Sequence, residues 1–269
     1  MNVLPSRPWT ALSEHEARAV AGVLTDIDDT LTTAGAITGD AMLALEALRA
    51  AGLPVIAITG RPMGWSLPFA QSWPIDAIVA ENGAVALFKQ DGSLLVEYSQ
   101  DEATRAANAV RLKAAAARVL AEVPGTSLSR DSEGRVTDIA IDHSEFAQLS
   151  QSQIDEVVRV MRDEGMHATV SSIHINGWYG GHTKLSGARW IVQRLLGRDI
   201  EAERSAWVYV GDSTNDQQMF GHFPLSVGVA NLLAFADQLD VWPAYVTASE
   251  RGAGFAEIAQ RLVAVRRTI

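Results

Sequence analysis

Four largely apolar runs of strand length, AGVLT (21–25), PVIAI (54–58), IDAIVA (75–80) and AWVYV (206–210), are set apart by segments with helical spacing. This alternation constrains the chain more than any other feature. Strands buried on both faces read as continuous apolar runs, and joining them in parallel requires crossover helices, so the expected fold is α/β with a parallel sheet between helical layers. Residues 39–51, GDAMLALEALRAA, bring Met42, Leu45, Ala47 and Leu48 to one helical face and stop at Gly52, a suitable C-cap. A helix at 184–196, another near 214–220 and a short strand, PLSVGV (224–229), continue the same pattern.

Between these halves the pattern changes. AVALFKQDGSLLVEY (84–98) is two strand-like runs joined by Asp91-Gly92, a dipeptide suited to hairpin turns that need positive φ. An Ala-rich helix is predicted over 101–122, with Ala103, Ala106, Val110, Ala114, Ala117 and Ala121 on its apolar stripe. RVTDIAID (135–142) reads as a strand exposed on one face. A helix over 152–164 follows, opened by Ser152 and Asp155 and striped by Ile154, Val157, Val158 and Met161. HATVSSIHINGWY (167–179) is extended. The organisation expected is therefore a core of residues 1–83 and 182–269, interrupted by an α+β insertion at 84–181.

Three strand-like runs end in small or acidic residues: AGVLT at Asp26, PVIAI at Thr59-Gly60-Arg61, and AWVYV at Gly211-Asp212. Open parallel sheets bind ligands beyond the carboxyl ends of their strands, so these termini are expected to share one crevice. A dinucleotide site is excluded, because Asp-Ile-Asp-Asp-Thr follows the opening strand where glycines would be required. An EF-hand fails as well, lacking its glycine and distal glutamate. Crowded oxygen ligands instead suit a hard divalent cation, magnesium above all, with Asp26 and Asp212 as the natural pair.

Composition narrows the partners. With 32 acidic against 22 basic residues and a net charge of -10, the chain lacks the footprint of a nucleic-acid binder. A small anion in a cation-neutralised pocket is compatible with that balance. The absence of cysteine excludes disulfides and thiolate chemistry. MNVLPSRPWTALSEHEARAV has no apolar segment of signal-peptide length, and no run reaches the roughly 18 residues needed to span a bilayer, so a cytoplasmic protein without membrane partners is expected.

Asp26-Ile27-Asp28-Asp29-Thr30-Leu31, Thr59 after its strand, Lys184 opening a helix, and Gly211-Asp212-Ser213-Thr214-Asn215-Asp216 resemble, in order, the four motifs of the haloacid dehalogenase-like hydrolase superfamily. With the insertion between the second and third motifs, preceded by Glu81-Asn82-Gly83-Ala84, the chain is similar to the type IIB, or Cof-type, branch. That resemblance implies a Rossmann-like core with a C2B cap and a magnesium-dependent phosphatase acting through an aspartyl-phosphate. The substrate implied is a small metabolite, a sugar phosphate or a phosphoglycerate-like ester.

On the same resemblance Asp26 is the nucleophile and Asp28 the general acid and base, while Asp29 sits where the family often has glycine and reads as a solvated turn residue. Phosphate falls to Thr59, Gly60, Lys184 and Asn215. Metal falls to Asp26, the Asp28 backbone carbonyl, Asp212 and Asp216. Arg61 is a candidate anion contact, and Asn231 reads as a helix N-cap. If HATVSSIHINGWY is one strand, Ser172, His174, Asn176 and Trp178 share a face that would roof the site. Asn82 and His182 lie near the two crossings between core and cap and complete the substrate candidates. A phosphomutase shares the aspartyl-phosphate step and is the enzymatic alternative. A non-hydrolytic phospho-aspartate signalling domain would leave the insertion and the Gly-Asp-Ser-Thr-Asn-Asp segment unexplained.

Overall fold

The computed structural model describes residues 6–266, so Met1–Pro5 of the N-terminal segment and Arg267–Ile269 lie outside it. The elements before the insertion are β1 (Arg7–Pro8), α1 (Glu14–Ala19), β2 (Gly22–Thr25), the small hairpin β3 (Thr32–Thr33) and β4 (Ala36–Ile37), α2 (Gly39–Ala50), β5 (Val55–Ile58), α3 (Met63–Ser72) and β6 (Ala77–Ala80). Then come the hairpin β7 (Val85–Gln90) and β8 (Ser93–Tyr98), followed by α4 (Glu102–Glu122), β9 (Asp138–Asp142), α5 (Gln151–Asp163), β10 (His167–Val170) and β11 (His174–Trp178). The chain closes with α6 (Lys184–Leu196), β12 (Trp207–Gly211), α7 (Gln217–His222), β13 (Leu225–Gly228), β14 (Tyr245–Val246) and α8 (Arg251–Ala264).

One nine-stranded sheet runs β1-β14-β13-β12-β2-β5-β6-β7-β8, parallel as far as β6 and antiparallel over its last two pairings. Side chains alternate across it. Val23, Val55, Ala57 and Val210 meet Leu45 and Leu48 of α2 and Phe255, Ile258 and Leu262 of α8, while Leu24, Ile56, Ile58 and Tyr209 meet Leu185, Ile191 and Val192 of α6. Two separate apolar cores, one on each face, follow from the unbroken apolar composition of the central strands.

A second sheet of three antiparallel strands, β10-β11-β9, carries α4 and α5 on one face. Leu112, Val119, Val157, Val160 and Met161 pack there against Ile139, Ile141 and Ile175. The opposite face pairs His174 with Asp142, Asn176 with Ala140 and Trp178 with Asp138. It lies over the carboxyl ends of β2 and β5, where Asn176 and Arg135 both donate to the Gly60 carbonyl, at 3.2 and 2.9 Å.

Several local expectations differ from what is observed. The hairpin at the start of the expected insertion extends the large sheet, because Val85 to Phe88 pair along β6 and leave the smaller sheet and its helices to residues 102–178. The six residues assigned to the apolar stripe of α4 are all exposed. In an alanine-rich helix the face is set by the few large side chains, and here Leu112 and Val119 turn inward. Strand β9 is buried along its whole length, since its polar face is covered by the main sheet's loops. HATVSSIHINGWY is a hairpin with its turn at 171–173, which removes Ser172 from the face shared by His174, Asn176 and Trp178. Helix α5 starts one residue early, capped by Ser150 and Gln153 in a reciprocal box.

The two crossings between core and insertion touch. Gly83 has φ +108°, and a Cβ there would overlap the Thr183 carbonyl oxygen at the start of α6.

Candidate active site

Register brings the first acids together. Val210 of β12 lies opposite Thr25 of β2, so the two neighbouring strands end side by side, and the Asp26 amide donates to the Val210 carbonyl at 2.8 Å. Asp26 leaves one strand and Asp212 leaves the other just beyond that pairing. Oxygens of Asp26, Asp212 and Asp216 all lie within 4.8 Å of one another, and all three residues are buried.

Lys184 enters from the first turn of α6, whose N-terminus is fixed by the Thr183 and Ser186 capping box. Its Nζ lies 3.0 Å from Asp26 Oδ1 and 2.7 Å from Asp216 Oδ1. Burial works against its positive charge, but Asp216 and Asp26 outweigh it and hold the ammonium well above its ordinary pKa. Asp216 is fully supplied with donors. Besides Lys184 it accepts from Tyr209 Oη at 2.5 Å and from the amides of Asp212 and Ser213 at 3.0 and 3.2 Å.

Asp212 is the opposite case. Its carboxylate receives only Thr30 Oγ1 at 3.5 Å and Asn231 Nδ2 at 3.2 Å. Burial, then the Asp26 and Asp216 charges, push its carboxyl well above the usual range. Asp26 is raised to about 7, chiefly by burial, with Lys184 opposing and Asp216 and Asp28 adding to the rise. A buried group of hard oxygen ligands with one cation between three carboxylates fits a divalent metal, which prefers such ligands and would relieve the excess charge.

Asp28 turns away from that cluster. Its carboxylate accepts Arg61 Nε at 3.0 Å and Arg61 Nη2 at 2.9 Å, and Arg61 also binds Asp131 at 3.1 Å and Glu145 at 2.7 Å from the smaller unit. Burial alone would raise the Glu145 pKa, but hydrogen bonds from His174 and Arg61 hold it at about 2. Arg135 joins the lattice through Asp131 at 3.1 Å and Asp138 at 2.9 Å. Glu81, in the left-handed region at φ +49°, accepts the Val136 and Thr137 amides at 3.1 and 2.6 Å. Core and inserted unit are thus joined by buried charges just beside Asp28.

The remaining candidates divide clearly. Thr59 is buried at the end of β5, its Oγ1 accepting the Arg61 amide at 3.0 Å, and the Gly60 carbonyl is covered by Asn176 and Arg135. Asn215 accepts from Ser213 Oγ at 3.0 Å and lines a cavity of about 350 Å³ together with Lys184 and Asn82. Asn82 is 2% exposed and its Nδ2 has no hydrogen-bond partner. His174, Asn176 and Trp178 are committed: His174 to Glu145 at 2.9 Å, Asn176 to Asp138 at 3.0 Å, and the Trp178 Nε1 to the His182 carbonyl at 2.9 Å. Trp178 also stacks against His167 and His182. His182 lines a separate cavity, and burial followed by the neighbouring His167 lowers its pKa to about 4.

Asp29 pairs with Arg251 at 2.9 Å and has φ +52°, which explains why an acid with a short polar side chain is accepted there. Asn231 is not an N-cap: it lies inside the 3-10 turn Ala230–Gln238, whose N-cap is Val229, and reaches across to accept the Arg251 amide at the start of α8 while its Nδ2 spans the Asp29 carbonyl and Asp212. Tyr209, Asp131, Arg135 and Glu145 were not among the sequence candidates. Tyr209 reads as a core residue of an apolar strand, and the others sit in a segment without any motif.

Residues 23–122 match the family model of the haloacid dehalogenase-like hydrolases. A phosphoglycolate phosphatase of Archaeoglobus fulgidus is 25% identical over 245 residues, covering 91% of this chain and 97% of that one. Among solved structures, a protein from Thermoplasma acidophilum superposes with a TM-score of 0.68 at 16% identity, covering 90% of this chain and 98% of its own. A subclass IIB sugar phosphatase gives 0.62 at 17% identity, with 91% and 100% covered. The sucrose-phosphatase of Synechocystis gives 0.64 at 17% identity, with 90% and 98% covered.

Proposed function

From the premise that the chain is a haloacid dehalogenase-like hydrolase of the type IIB capped kind, we propose that it is a magnesium-dependent phosphatase of a small phosphorylated metabolite. Sugar-phosphate and phosphoglycerate-like esters are the substrate range this reading covers. The observation that carries it is Lys184 set between Asp26 and Asp216 with the donor-poor Asp212 beside them.

In this reading the Asp26 carboxylate attacks phosphorus and the ester oxygen leaves as an alcohol, taking a proton from Asp28. Asp28 then takes a proton from water as that water attacks the aspartyl-phosphate, releasing phosphate and restoring Asp26. Lys184 neutralises the Asp26 charge and the phosphoryl oxygens, while Thr59, the Gly60 backbone and Asn215 hold the phosphoryl group. Magnesium, held by Asp26, Asp212 and the Asp28 carbonyl, would supply further neutralisation of the phosphoryl charge. Asp216, with four donors already, acts by holding Lys184 and the 211–213 turn. Residues 84–181, apart from the hairpin that extends the large sheet, serve as the cap, with residues 1–83 and 182–269 as the catalytic core.

Among the described residues no helix is long and apolar enough to cross a membrane, and with a net charge of -10 and no cysteine a cytoplasmic enzyme without nucleic-acid partners is the setting proposed. A panel of phosphorylated metabolites, assayed for inorganic phosphate with and without magnesium beside Asp26→Asn, tests the proposal. Metal-dependent release that Asp26→Asn abolishes is expected. Turnover retained by that variant refutes the nucleophile, and a phosphorylated sugar isomer in place of free phosphate would establish the mutase instead.

A further inference from the structure

We infer that the substrate carries a second anionic group beside the phosphoryl ester, a carboxylate being the simplest, and that Arg162 and His167 recognise it; this rests on the phosphatase reading above. The cavity of about 350 Å³ beside Lys184 lies between the strand ends of the core and the end of the cap where α5 leads into β10. Its volume is near the lower bound of small-molecule sites, which run from about 300 to 1,000 Å³. Lys184, Asn82 and Asn215 line its core side, and Arg162, His167 and Thr169 its cap side.

The wall has no acid. In a chain with 32 acidic residues, not one Asp or Glu lines this cavity, although it contains a lysine, an arginine and a histidine. Two buried polar atoms in its lining, Asn82 Nδ2 and Thr169 Oγ1, have no hydrogen-bond partner. Buried donors left unpaired are costly, and a ligand oxygen would satisfy them.

Arg162 has no ion-pair partner among the described residues, and its neighbours are already engaged. Asp163 binds Arg159 at 2.5 Å, Glu164 binds Arg118 at 2.6 Å, and Asp155 accepts from Gln151 at 2.8 Å. The contrast with the cavity of about 560 Å³ beside Asp28 is instructive. That one has two arginines, but Arg61 is bound to Asp28 and Glu145 and Arg251 to Asp29, so neither is free for an anion. Of these two, the Lys184 cavity is the one that pairs the candidate phosphoryl site with an uncommitted guanidinium, a group whose fork matches a carboxylate.

The test uses the full-length enzyme with magnesium and two pairs that differ only in carboxylate against hydroxymethyl: 3-phosphoglycerate with glycerol 1-phosphate, and 2-phosphoglycolate with 2-hydroxyethyl phosphate. Each is assayed as a substrate and as a competitor of p-nitrophenyl phosphate. The acid of each pair is expected to be favoured by roughly tenfold or more, in kcat/KM or in competition, the size usual for one charge-assisted contact. Arg162→Gln should remove that preference and leave p-nitrophenyl phosphate turnover within about twofold, with His167→Gln acting in the same direction more weakly. Equal use of the acid and the alcohol by the wild type overturns the inference. So does a preference that survives both substitutions, or an Arg162→Gln loss equal for every ester. Failure of the phosphatase reading is distinct, because Asp26-dependent p-nitrophenyl phosphate hydrolysis would then be missing altogether.

Discussion

Replacing Lys184 by Met separates the counter-charge role of this residue from mere packing, because the apolar stem is nearly preserved while the ammonium is removed. The side chains of Lys184, Asp26 and Asp216 are only 3%, 6% and 0% exposed, and the two contacts are 3.0 and 2.7 Å. Without the lysine, three buried carboxylates within 4.8 Å of one another have no cation. Removing one member of a buried ion pair costs about 3–5 kcal/mol. Tyr209 and two amides still hold Asp216, and Asp26 and Asp212 can take up protons, so the low end, about 3 kcal/mol, is expected for the metal-free protein. At about 2–4 °C per kcal/mol for a chain of this size, the melting temperature should fall by roughly 6–12 °C. Magnesium should then recover more of that loss in the variant than it adds to the wild type, since the metal becomes the only cation at the triad. Differential scanning fluorimetry at fixed pH, with chelator and across a magnesium series, reads both quantities. A metal-free variant within about 2 °C of wild type, or an identical magnesium increment in both proteins, refutes the assignment of Lys184 as counter-charge.

Proton and metal should compete at the triad. Asp26 in the folded protein is raised from 3.8 to about 7, and Asp212 is raised too, so the folded state binds more protons than the unfolded one across that window. Metal-free stability therefore falls as pH rises from about 4 to about 7, with Asp138, raised to about 7 by burial against Arg135, adding to the trend, while magnesium affinity rises; melting curves with and without magnesium should diverge upward in pH. Arg61→Met leaves Asp28, Asp131 and Glu145 without their shared partner and should cost about 2–4 kcal/mol near neutral pH. Because Glu145 is depressed from 4.5 to about 2, its contribution is present above the former value and lost as pH falls through the latter, so acid titration of the two proteins should bring their stabilities together. Gly83→Ala, at φ +108° against the Thr183 carbonyl, should cost about 3 kcal/mol or more, whereas Gly92→Ala, at φ +79° in open space, should cost about 1 kcal/mol; chemical denaturation of both checks that crowding and not dihedral alone sets the difference.

The parts of the fold legible in sequence are those where one physical signal dominates. Central parallel strands need unbroken apolar residues, and β2, β5, β6 and β12 start and end within two residues of their apolar runs. The alanine spacing of α4 does not mark its buried face, because alanine carries little burial energy and cannot outvote the larger Leu112 and Val119. The β7–β8 hairpin is legible as a hairpin, yet its pairing with β6 is not, since strand alternation says which face is apolar and not which sheet edge receives it. At the site, residues adjacent to strand ends could be placed by topology alone. Arg135, Asp131 and Glu145 could not, because they follow no periodic pattern and their significance comes from tertiary contact, Asp131 and Glu145 with Arg61 and Arg135 with the Gly60 carbonyl.

The crowding of Asp26, Asp28 and Asp29 within one turn is resolved by distributing them. Asp26 points to Lys184 from α6, Asp28 to Arg61 from the loop after β5, and Asp29 to Arg251 at the start of α8. Each acid is matched to a cation from a different element, so the turn ties three parts of the core to one strand end. The three pairs differ in what they leave available. Asp29 and Arg251 form a partly exposed pair whose worth is small and structural. Asp28 is held in place by a guanidinium that the cap also grips through Asp131 and Glu145, so any shift of the cap must alter the contacts that orient Asp28. Asp26 and the fully buried Asp216 share one lysine, with Asp212 beside them and no ion pair of its own, and that deficit of positive charge is why the proposed metal and phosphoryl group are assigned to this end of the turn and not to the other two.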